Sequence, residues 1–234
     1  MAIFIGIDDS GRGPIIGPMV IAGVLVTKKQ KKELKKIGCK DSKKLSPKKR
    51  QILYEKIKKI VLGYEILTIP PEEIDERTNT GINLNKIEAI KIAEIINTLI
   101  KGLDNNKSFE VVCFIDCPST NISAWQTYLR KHLKKFENIK TILKCEHNAD
   151  SKYVECSAAS ILAKVTRDNE IEKIKKQFGI DFGSGYPSDP LTIEFLKKNA
   201  DRLKNAKILR KTWETWKKLI KKQKTLSDFL THDF

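Results

Sequence analysis

The stretch IFIGIDDSGRGP, residues 3–14, decides the fold expected for this chain. Its apolar start ends in two carboxylates, Asp8 and Asp9, a pattern typical of a buried strand. Residues 11–18 then carry too many glycines and prolines for a regular helix or strand, so we predict a turn with unusual backbone geometry. A second run rich in Val and Ile, residues 19–26, predicts the next strand.

Working outward, the pattern predicts three more strands and alternating helices. The strands are expected at residues 64–69, 111–116 and 141–145, and the helices at about 46–60, 83–102, 122–135, 152–178 and 208–220. Three strands followed by alternating elements indicate an α/β domain with a mixed sheet. We expect a main domain over residues 1–190, a helical C-terminal extension over 191–222 and a tail over 223–234.

Size and charge limit the class of protein. The chain has 234 residues, 40% of them hydrophobic, and a net charge of +16, which indicates a folded basic protein. Residues 28–59 hold fifteen Lys or Arg and three acids. The positive electrostatic field of this stretch would attract the phosphate backbone of nucleic acids. The alternative interpretation is a solvated, lysine-rich surface.

Targeting segments and structural cysteine chemistry are not indicated. No apolar run approaches the length that spans a bilayer, and the N-terminus lacks the features of a signal peptide. The five cysteines are odd in number and form no CxxC pair, so neither a disulfide framework nor a zinc site is expected. We expect a cytoplasmic, monomeric protein with reduced cysteines.

Carboxylates recur at the ends of predicted strands. Asp8 and Asp9 close the first strand, Asp116 closes the fourth, and Asp150 follows the fifth. Because neighbouring parallel strands end at one edge of a sheet, these acids are expected to meet there. All-oxygen ligands suit Mg²⁺ or Mn²⁺, and two such ions can support phosphoryl transfer. Each Asp alone could instead cap a helix or end a strand.

The opening motif, residues 6–14, resembles that of ribonuclease HII in its archaeal form, and the similarity continues along most of the chain. The other segments that carry it are residues 40–46, 115–116, 149–153, 157–168 and 183–190. The resemblance implies a ribonuclease H-like fold with a five-stranded mixed sheet and a helical C-terminal part. It implies divalent-metal-dependent hydrolysis of the RNA strand of RNA/DNA hybrids, including single ribonucleotides embedded in duplex DNA.

The resemblance also implies roles for particular residues. Asp8, Asp9, Asp116 and Asp150 are implied to be the catalytic and metal-binding carboxylates, which would hold two ions, Mg²⁺ or Mn²⁺. One ion would activate the water and the other would stabilise the leaving 3′ oxygen, giving 5′-phosphate and 3′-hydroxyl ends.

Substrate contacts are carried over in the same way. The motif Gly11-Arg12-Gly13 is implied to sense the ribose 2′-hydroxyl, since a backbone without Cβ can approach a sugar closely. Tyr186 is implied to stack on the deoxyribose after the RNA-to-DNA junction. Lys43 and Lys152 are implied phosphate contacts. Taken alone, the motif could be a simple turn, Tyr186 a loop anchor and the lysines surface residues.

The chain departs from the usual family motif at two positions. Asp9 stands where the family mostly has Glu, and Ser10 replaces the usual Ala. The shorter side chain withdraws the carboxylate by about one carbon–carbon bond, enough to perturb a metal site. We expect activity to survive with an altered metal preference, because the carboxylate is retained.

The tail resembles a sliding-clamp-binding peptide. Its pattern places Gln223, Leu226, Phe229 and Leu230 at the spacing of a Gln-x-x-aliphatic-x-x-aromatic motif, with Leu230 in the second aromatic position. A short 3₁₀ turn would bring the three apolar side chains to one side, as a plug for an apolar groove. These residues could instead pack on the protein's own core.

Two alternative functions remain open from the sequence. The first is a related nuclease of the same fold, such as ribonuclease HIII or a junction resolvase, against which the intact Gly11-Arg12-Gly13 motif argues. The second is a basic RNA-binding protein that has lost catalysis at Asp9, against which the three other acids argue.

Overall fold

The structure is a computed structural model that describes residues 2–40, 42, 45–104 and 107–221. Five strands are present in these ranges: β1 Ala2–Ser10, β2 Met19–Thr27, β3 Gly63–Ile69, β4 Phe109–Asp116 and β5 Ile139–Glu146. The helices with named bounds are α1 Lys28–Lys36, α2 Pro47–Ile60, α3 Pro71–Asn79, α4 Leu84–Lys101, α5 Ile122–Arg130, α6 Ala149–Lys152, α7 Val154–Phe178, α8 Pro190–Lys198 and α9 Ala200–Leu203. Residues 214–221 are also helical.

The strands form one mixed sheet in the order β3-β2-β1-β4-β5. β1 is antiparallel to β2 and parallel to β4, and β4 is parallel to β5. The predicted five-stranded mixed sheet is therefore confirmed. Because β1, β4 and β5 run the same way, their C-terminal ends lie at one edge of the sheet.

Helix α7 approaches strand β1 closely because Gly6 has no side chain. A Cβ at this position would lie 2.2 Å from the backbone carbon of Glu155. Any larger residue would therefore push the helix away from the sheet. This contact places the first turns of α7 beside β1, two residues before Asp8.

The chain divides into two compact units. The first consists of residues 1–10, 20–68 and 83–168, and the second consists of residues 11–19, 69–82 and 169–234. We call the first the sheet unit and the second the loop unit. Each has its own apolar core. In the sheet unit β2 packs with α2 and α7 through Val24, Leu53, Ile57, Ile161 and Leu162. In the loop unit the core includes Ile16, Phe182, Phe195, Leu203 and Trp216.

The structure corrects several predicted helix bounds. The helix expected over 208–220 begins only at residue 214, because Leu209 instead forms an antiparallel bridge with Ile16. The carboxylate of Asp75 accepts hydrogen bonds from the N–H groups of Lys211 and Thr212, which lead into the helix. The helix expected over 122–135 ends at Arg130.

Helices α1 and α3 were not predicted, and α8 and α9 were expected only as part of the helical extension over residues 191–222. Helix α1 begins at a capping box in which the side chains of Thr27 and Gln30 each accept a hydrogen bond from the backbone N–H of the other residue. The helix was missed because its sequence is mostly lysine and has little apolar periodicity. The helix predicted over 152–178 is interrupted at Tyr153, which is extended between α6 and α7.

Within the described ranges, no helix is long and apolar enough to cross a membrane. The cysteines Cys39, Cys113, Cys117, Cys145 and Cys156 are all buried free thiols.

Candidate active site

Two predicted site carboxylates lie side by side at the C-terminal edge of the sheet. Ile7 and Ile115 form the last pair of the parallel β1–β4 ladder, and the next residue in each strand is Asp8 and Asp116 respectively. Asp9 follows Asp8 in β1, and its backbone N–H donates to Asp8 Oδ1 at 2.8 Å. Strand register therefore places Asp8 and Asp116 at adjacent positions, and Asp9 follows Asp8 along β1.

Burial and repulsion act together on Asp8, which is only 7% exposed. Its pKa is raised well above the usual value, first because burial disfavours the charged form, and then because of the neighbouring charges of Asp9 and Asp116. A hydrogen bond from Ser160 on α7 acts in the opposite direction. The ionised form of Asp8 is therefore unfavourable, and a nearby cation would stabilise it.

The hydroxyl of Ser160 connects Asp8 to a second segment of the sheet unit. Its Oγ lies 2.8 Å from Oγ of Ser42, and both serines are buried. Arg50 on α2 donates to the carbonyls of Ser42 and Leu45, at 3.1 and 2.7 Å. The Asp8 carboxylate is thus held by a chain of contacts that reaches α2.

The fourth acid, Asp150, lies on the short helix α6 after β5. Asn148 takes a left-handed conformation, with φ of 57°, which turns the chain from the strand into this helix. The N–H of Ala149 then donates to Asp116 Oδ1 at 3.0 Å. Asp150 itself is 5% exposed, and its carbonyl accepts a hydrogen bond from the Ser157 hydroxyl. One hydrogen bond therefore ties the Asp116 side chain to the residue preceding Asp150.

A fifth acid at this edge was missed because β5 runs one residue further than predicted. Glu146 pairs with Asp116 in the β4–β5 ladder. Its pKa is lowered, chiefly by hydrogen bonds from Lys152 and from the Tyr153 hydroxyl. Since both carboxylate oxygens are already bonded to these partners, Glu146 positions Lys152 and Tyr153.

The donor set fits a divalent cation in chemistry. Within the ranges that the structure describes, no three acidic, histidine or cysteine side chains lie close enough to hold one metal ion as they stand. Asp8, Asp9 and Asp116 nevertheless interact electrostatically, and repulsion between like charges keeps carboxylates apart. Buried carboxylate oxygens are the ligands that Mg²⁺ and Mn²⁺ prefer, and a cation would offset this repulsion.

In the loop unit, the motif Gly11-Arg12-Gly13 begins a segment whose backbone forms hydrogen bonds with two other segments of the chain. The N–H groups of Ile15 and Ile16 both donate to the carbonyl of Gly185, at 2.8 and 3.2 Å. On the other side, Gly17 N–H donates to the carbonyl of Ile208. Gly11 has φ of 89° and Gly185 has φ of 79°, backbone conformations that favour glycine.

Arg210 holds this segment and was missed by sequence reasoning. Its side chain is fully buried, and its guanidinium donates to the carbonyls of Gly11 at 2.6 Å, Arg12 at 2.7 Å and Gly17 at 3.2 Å. It also lies over the Trp213 ring, 5.0 Å from the centroid. No local pattern marks Arg210, because its partners lie almost 200 residues earlier.

Tyr186 lies beside the same motif. A Cβ on Gly13 would be 3.4 Å from the Tyr186 ring, so the ring and the bare glycine backbone form neighbouring parts of one surface. The ring is 37% exposed and Gly13 is exposed. Both can therefore contact a ligand.

The remaining predicted substrate contacts are lysines. Lys152 follows Asp150 by two residues on α6, is exposed, and pairs with Glu146 at 2.8 Å. Lys43 lies outside the described residues, as do Gln223, Leu226, Phe229 and Leu230.

Comparison with known proteins now identifies the family. The family model described as ribonuclease HII matches residues 5–216, nearly the whole chain and all four acids. The chain belongs to the ribonuclease HII family. It is accordingly a type 2 ribonuclease H, a metal-dependent endoribonuclease of the family that cleaves the RNA of RNA/DNA hybrids.

Relatives and solved structures agree with this family. A ribonuclease HII of Methanococcus maripaludis is 46% identical over 220 residues, which cover 94% of this chain and 87% of that protein. The ribonuclease H2 structure from Pyrococcus horikoshii gives a TM-score of 0.81 at 38% identity, covering 94% and 98% of the two chains. The ribonuclease HII in a complex with PCNA from Archaeoglobus fulgidus gives 0.75 at 38% identity, covering 91% and 95%.

The first prediction concerns the cost of the Asp8 charge. In chelator at neutral pH, Asp8→Asn should raise the free energy of unfolding by about 1 kcal/mol, because the amide keeps the shape and removes a buried, repelled charge. The gain should vanish below the usual Asp pKa of 3.8, where the parent is protonated whether folded or unfolded. Added Mg²⁺ or Mn²⁺ should raise the Tm of the parent but not of Asp8→Asn, and cleavage should fall at least about 100-fold.

Denaturant unfolding and thermal scans, with and without metal, measure these effects. The matched control is Glu110→Gln, which removes an exposed carboxylate from the far end of β4. It should change stability by less than about 0.5 kcal/mol and keep the metal response. A metal response retained in Asp8→Asn would remove this residue from the site.

The second prediction concerns Arg210. Arg210→Met leaves three carbonyls without their donor and should destabilise the protein by about 3 kcal/mol, and Arg210→Lys should recover only part of this loss. Amide hydrogen exchange should accelerate within residues 11–17 but not within β5. Arg202→Met, which removes an exposed arginine lying over Phe178, should cost less than about 1 kcal/mol. Unchanged exchange over residues 11–17 would contradict the role given to Arg210.

Proposed function

We propose that this enzyme nicks duplex DNA at single embedded ribonucleotides as well as cleaving hybrids, using two divalent ions held by Asp8, Asp9, Asp116 and Asp150. The observation that carries the proposal is the juxtaposition of Asp8 and Asp116 at the ends of adjacent parallel strands. The raised pKa of Asp8, caused by burial and by its acidic neighbours, supports a site that needs cations.

The roles of the carboxylates follow from how each is held. The ions, when bound, supply Lewis acidity at the scissile phosphate and stabilise the leaving oxygen. The Ser160 hydroxyl orients Asp8, and the N–H of Ala149 orients Asp116. Both contacts are made by backbone or short side chains, which lose little entropy when fixed. The expected products are 5′-phosphate and 3′-hydroxyl ends.

We assign recognition of the ribose to the surface formed by Gly13 and Tyr186. A backbone without Cβ lets the sugar 2′-hydroxyl approach, and Arg210 keeps the carbonyls of Gly11 and Arg12 from turning toward the sugar. The exposed Tyr186 ring offers an apolar face for the deoxyribose that follows the junction. An extra hydroxyl on that sugar would pack less well.

The third prediction tests this function with two duplexes of one sequence. One carries a continuous RNA strand and the other carries a single ribonucleotide in DNA. Both should be cleaved in Mg²⁺ or Mn²⁺ and neither in chelator, and the mapped fragments should carry 5′-phosphate and 3′-hydroxyl ends. Cleavage in chelator, or cyclic phosphate ends, would contradict the metal mechanism. Efficient hybrid cleavage without nicking at the single ribonucleotide would contradict the proposed specificity.

We also propose that the tail binds an archaeal sliding clamp through Gln223, Leu226, Phe229 and Leu230. The pattern of the four residues supports this, as does the similarity to the ribonuclease HII found in complex with PCNA. The apolar members would fill a groove on the clamp while Gln223 bonds nearby.

The fourth prediction is that a protein ending at Lys222 loses clamp binding. Its affinity for the purified clamp should fall about tenfold or more, because the apolar plug is gone. Titration by calorimetry measures the loss, and cleavage of a short duplex without clamp serves as the control, since it should stay at the parental rate. Equal clamp affinity for the two proteins would exclude the tail as the contact.

A further inference from the structure

A basic cavity in the sheet unit lies beside the backbone of Asp150, and apart from Lys152 its described lining has no part in the roles given above. Its volume is about 230 Å³, and its described lining includes three lysines, Lys35, Lys40 and Lys152. The other lining residues are Cys39, Ser151, Val154 and Ser157. Lys35 and Lys40 come from the end of α1 and the segment after it, more than 100 residues before Lys152.

The lining is cationic, and little in it balances that charge. None of its described residues is acidic, and the buried Cys39 thiol stays protonated because burial raises its pKa to about 12. Lys152 is paired with Glu146, whereas neither Lys35 nor Lys40 has an ion-pair partner in the described part of the chain. Among the described residues, two ammonium groups are therefore available to an incoming anion.

The lining also indicates how the anion is recognised. The hydroxyl of Ser151 donates to the carbonyl of Asn148, and that of Ser157 donates to the carbonyl of Asp150. Their protons are thus already used within the protein, and the lysine ammonium groups supply the donors. Ammonium groups on flexible stems suit a tetrahedral phosphate, which they bind as point charges.

The position of the cavity indicates the source of that phosphate. Ser151 and Lys152 directly follow Asp150, and the Ser157 hydroxyl is bonded to the Asp150 carbonyl. An anion in this cavity therefore lies beside the backbone that carries Asp150, a residue that we assign to catalysis. A nucleic acid engaged at Asp150 carries further phosphates along its backbones, one for each nucleotide.

We propose that this cavity seats one non-scissile backbone phosphate of the bound duplex, held by Lys35 and Lys40 with Lys152 at its rim. The inference rests on the proposed nuclease function, because it takes the occupant to be the same duplex that is cleaved. A single seated phosphate would fix the position of the duplex along its axis beside Asp150.

The fifth prediction tests this seat by binding alone, with the full chain kept in chelator so that no cleavage occurs. A series of duplexes carries one neutral methylphosphonate each, at successive backbone positions, and the dissociation constant of each is measured by fluorescence anisotropy. One position should weaken binding of the parent about tenfold. The same substitution should have almost no effect on the double variant Lys35→Gln, Lys40→Gln, because its partners are already absent.

The matched control is Lys101→Gln, which removes an exposed lysine at the end of α4. It should respond to the methylphosphonate series as the parent does. The salt dependence adds a second readout: the slope of log Kd against log salt should fall by about 0.9 in the double variant, the value for one phosphate contact. Circular dichroism and the Tm check that the double variant is folded.

Two outcomes would overturn the inference. The double variant could respond to every methylphosphonate as the parent does, or all positions could weaken binding of both proteins equally, which would indicate a diffuse field. Because the assay measures binding without cleavage, its result is separate from the proposed function. If the enzyme nicks at a single ribonucleotide but no methylphosphonate position distinguishes the parent from the double variant, the proposed function is retained and the proposed phosphate site is excluded.

Discussion

Repulsion between the buried carboxylate of Asp8 and its acidic neighbours is the constraint on which the rest of this structure depends. Strand pairing forces Asp8 and Asp116 to adjacent positions, and the backbone places Asp9 next to them. A protein that only needed to be stable would not keep charged groups there, since burial and like charges both raise the free energy of the ionised form. The arrangement makes sense when divalent cations bind among the acids, because the same charges that destabilise the fold then become ligands.

The surrounding scaffold keeps these acids from moving apart or turning away. Gly6 lets α7 lie directly against β1, and that contact brings Ser160 to Asp8. The Ser160–Ser42 pair then extends the support to the segment held by Arg50. Such contacts matter for catalysis because a metal site tolerates displacements of only about 0.5 Å. The glycine is therefore as much a part of the site's construction as the carboxylates.

The parts of this architecture that were predictable are those that depend on neighbouring residues. Apolar runs marked the strands, and the carboxylates that end them marked the edge of the sheet. Arg210 could not be found this way, because its carbonyl partners lie almost 200 residues away. From the sequence alone, an arginine is expected at the surface and not in the core. The segment at Leu209 was taken for helix for a similar reason: its pairing with Ile16 is long-range and overrides local periodicity.

The excess of lysine can be related to the acidic residues at the edge of the sheet. A polyanion that approaches Asp8, Asp116 and Asp150 meets negative charge, and in the proposed mechanism bound divalent ions would offset this only at the scissile phosphate. The neighbouring phosphates need their own cations, at fixed distances from the acids. Lysines that reach a cavity beside Asp150 from a distant helix meet this need, whereas lysines paired with nearby acids, such as Lys198 with Glu194, do not. Within the described part of the chain, the net charge therefore matters less than which ammonium groups beside the site have no ion-pair partner.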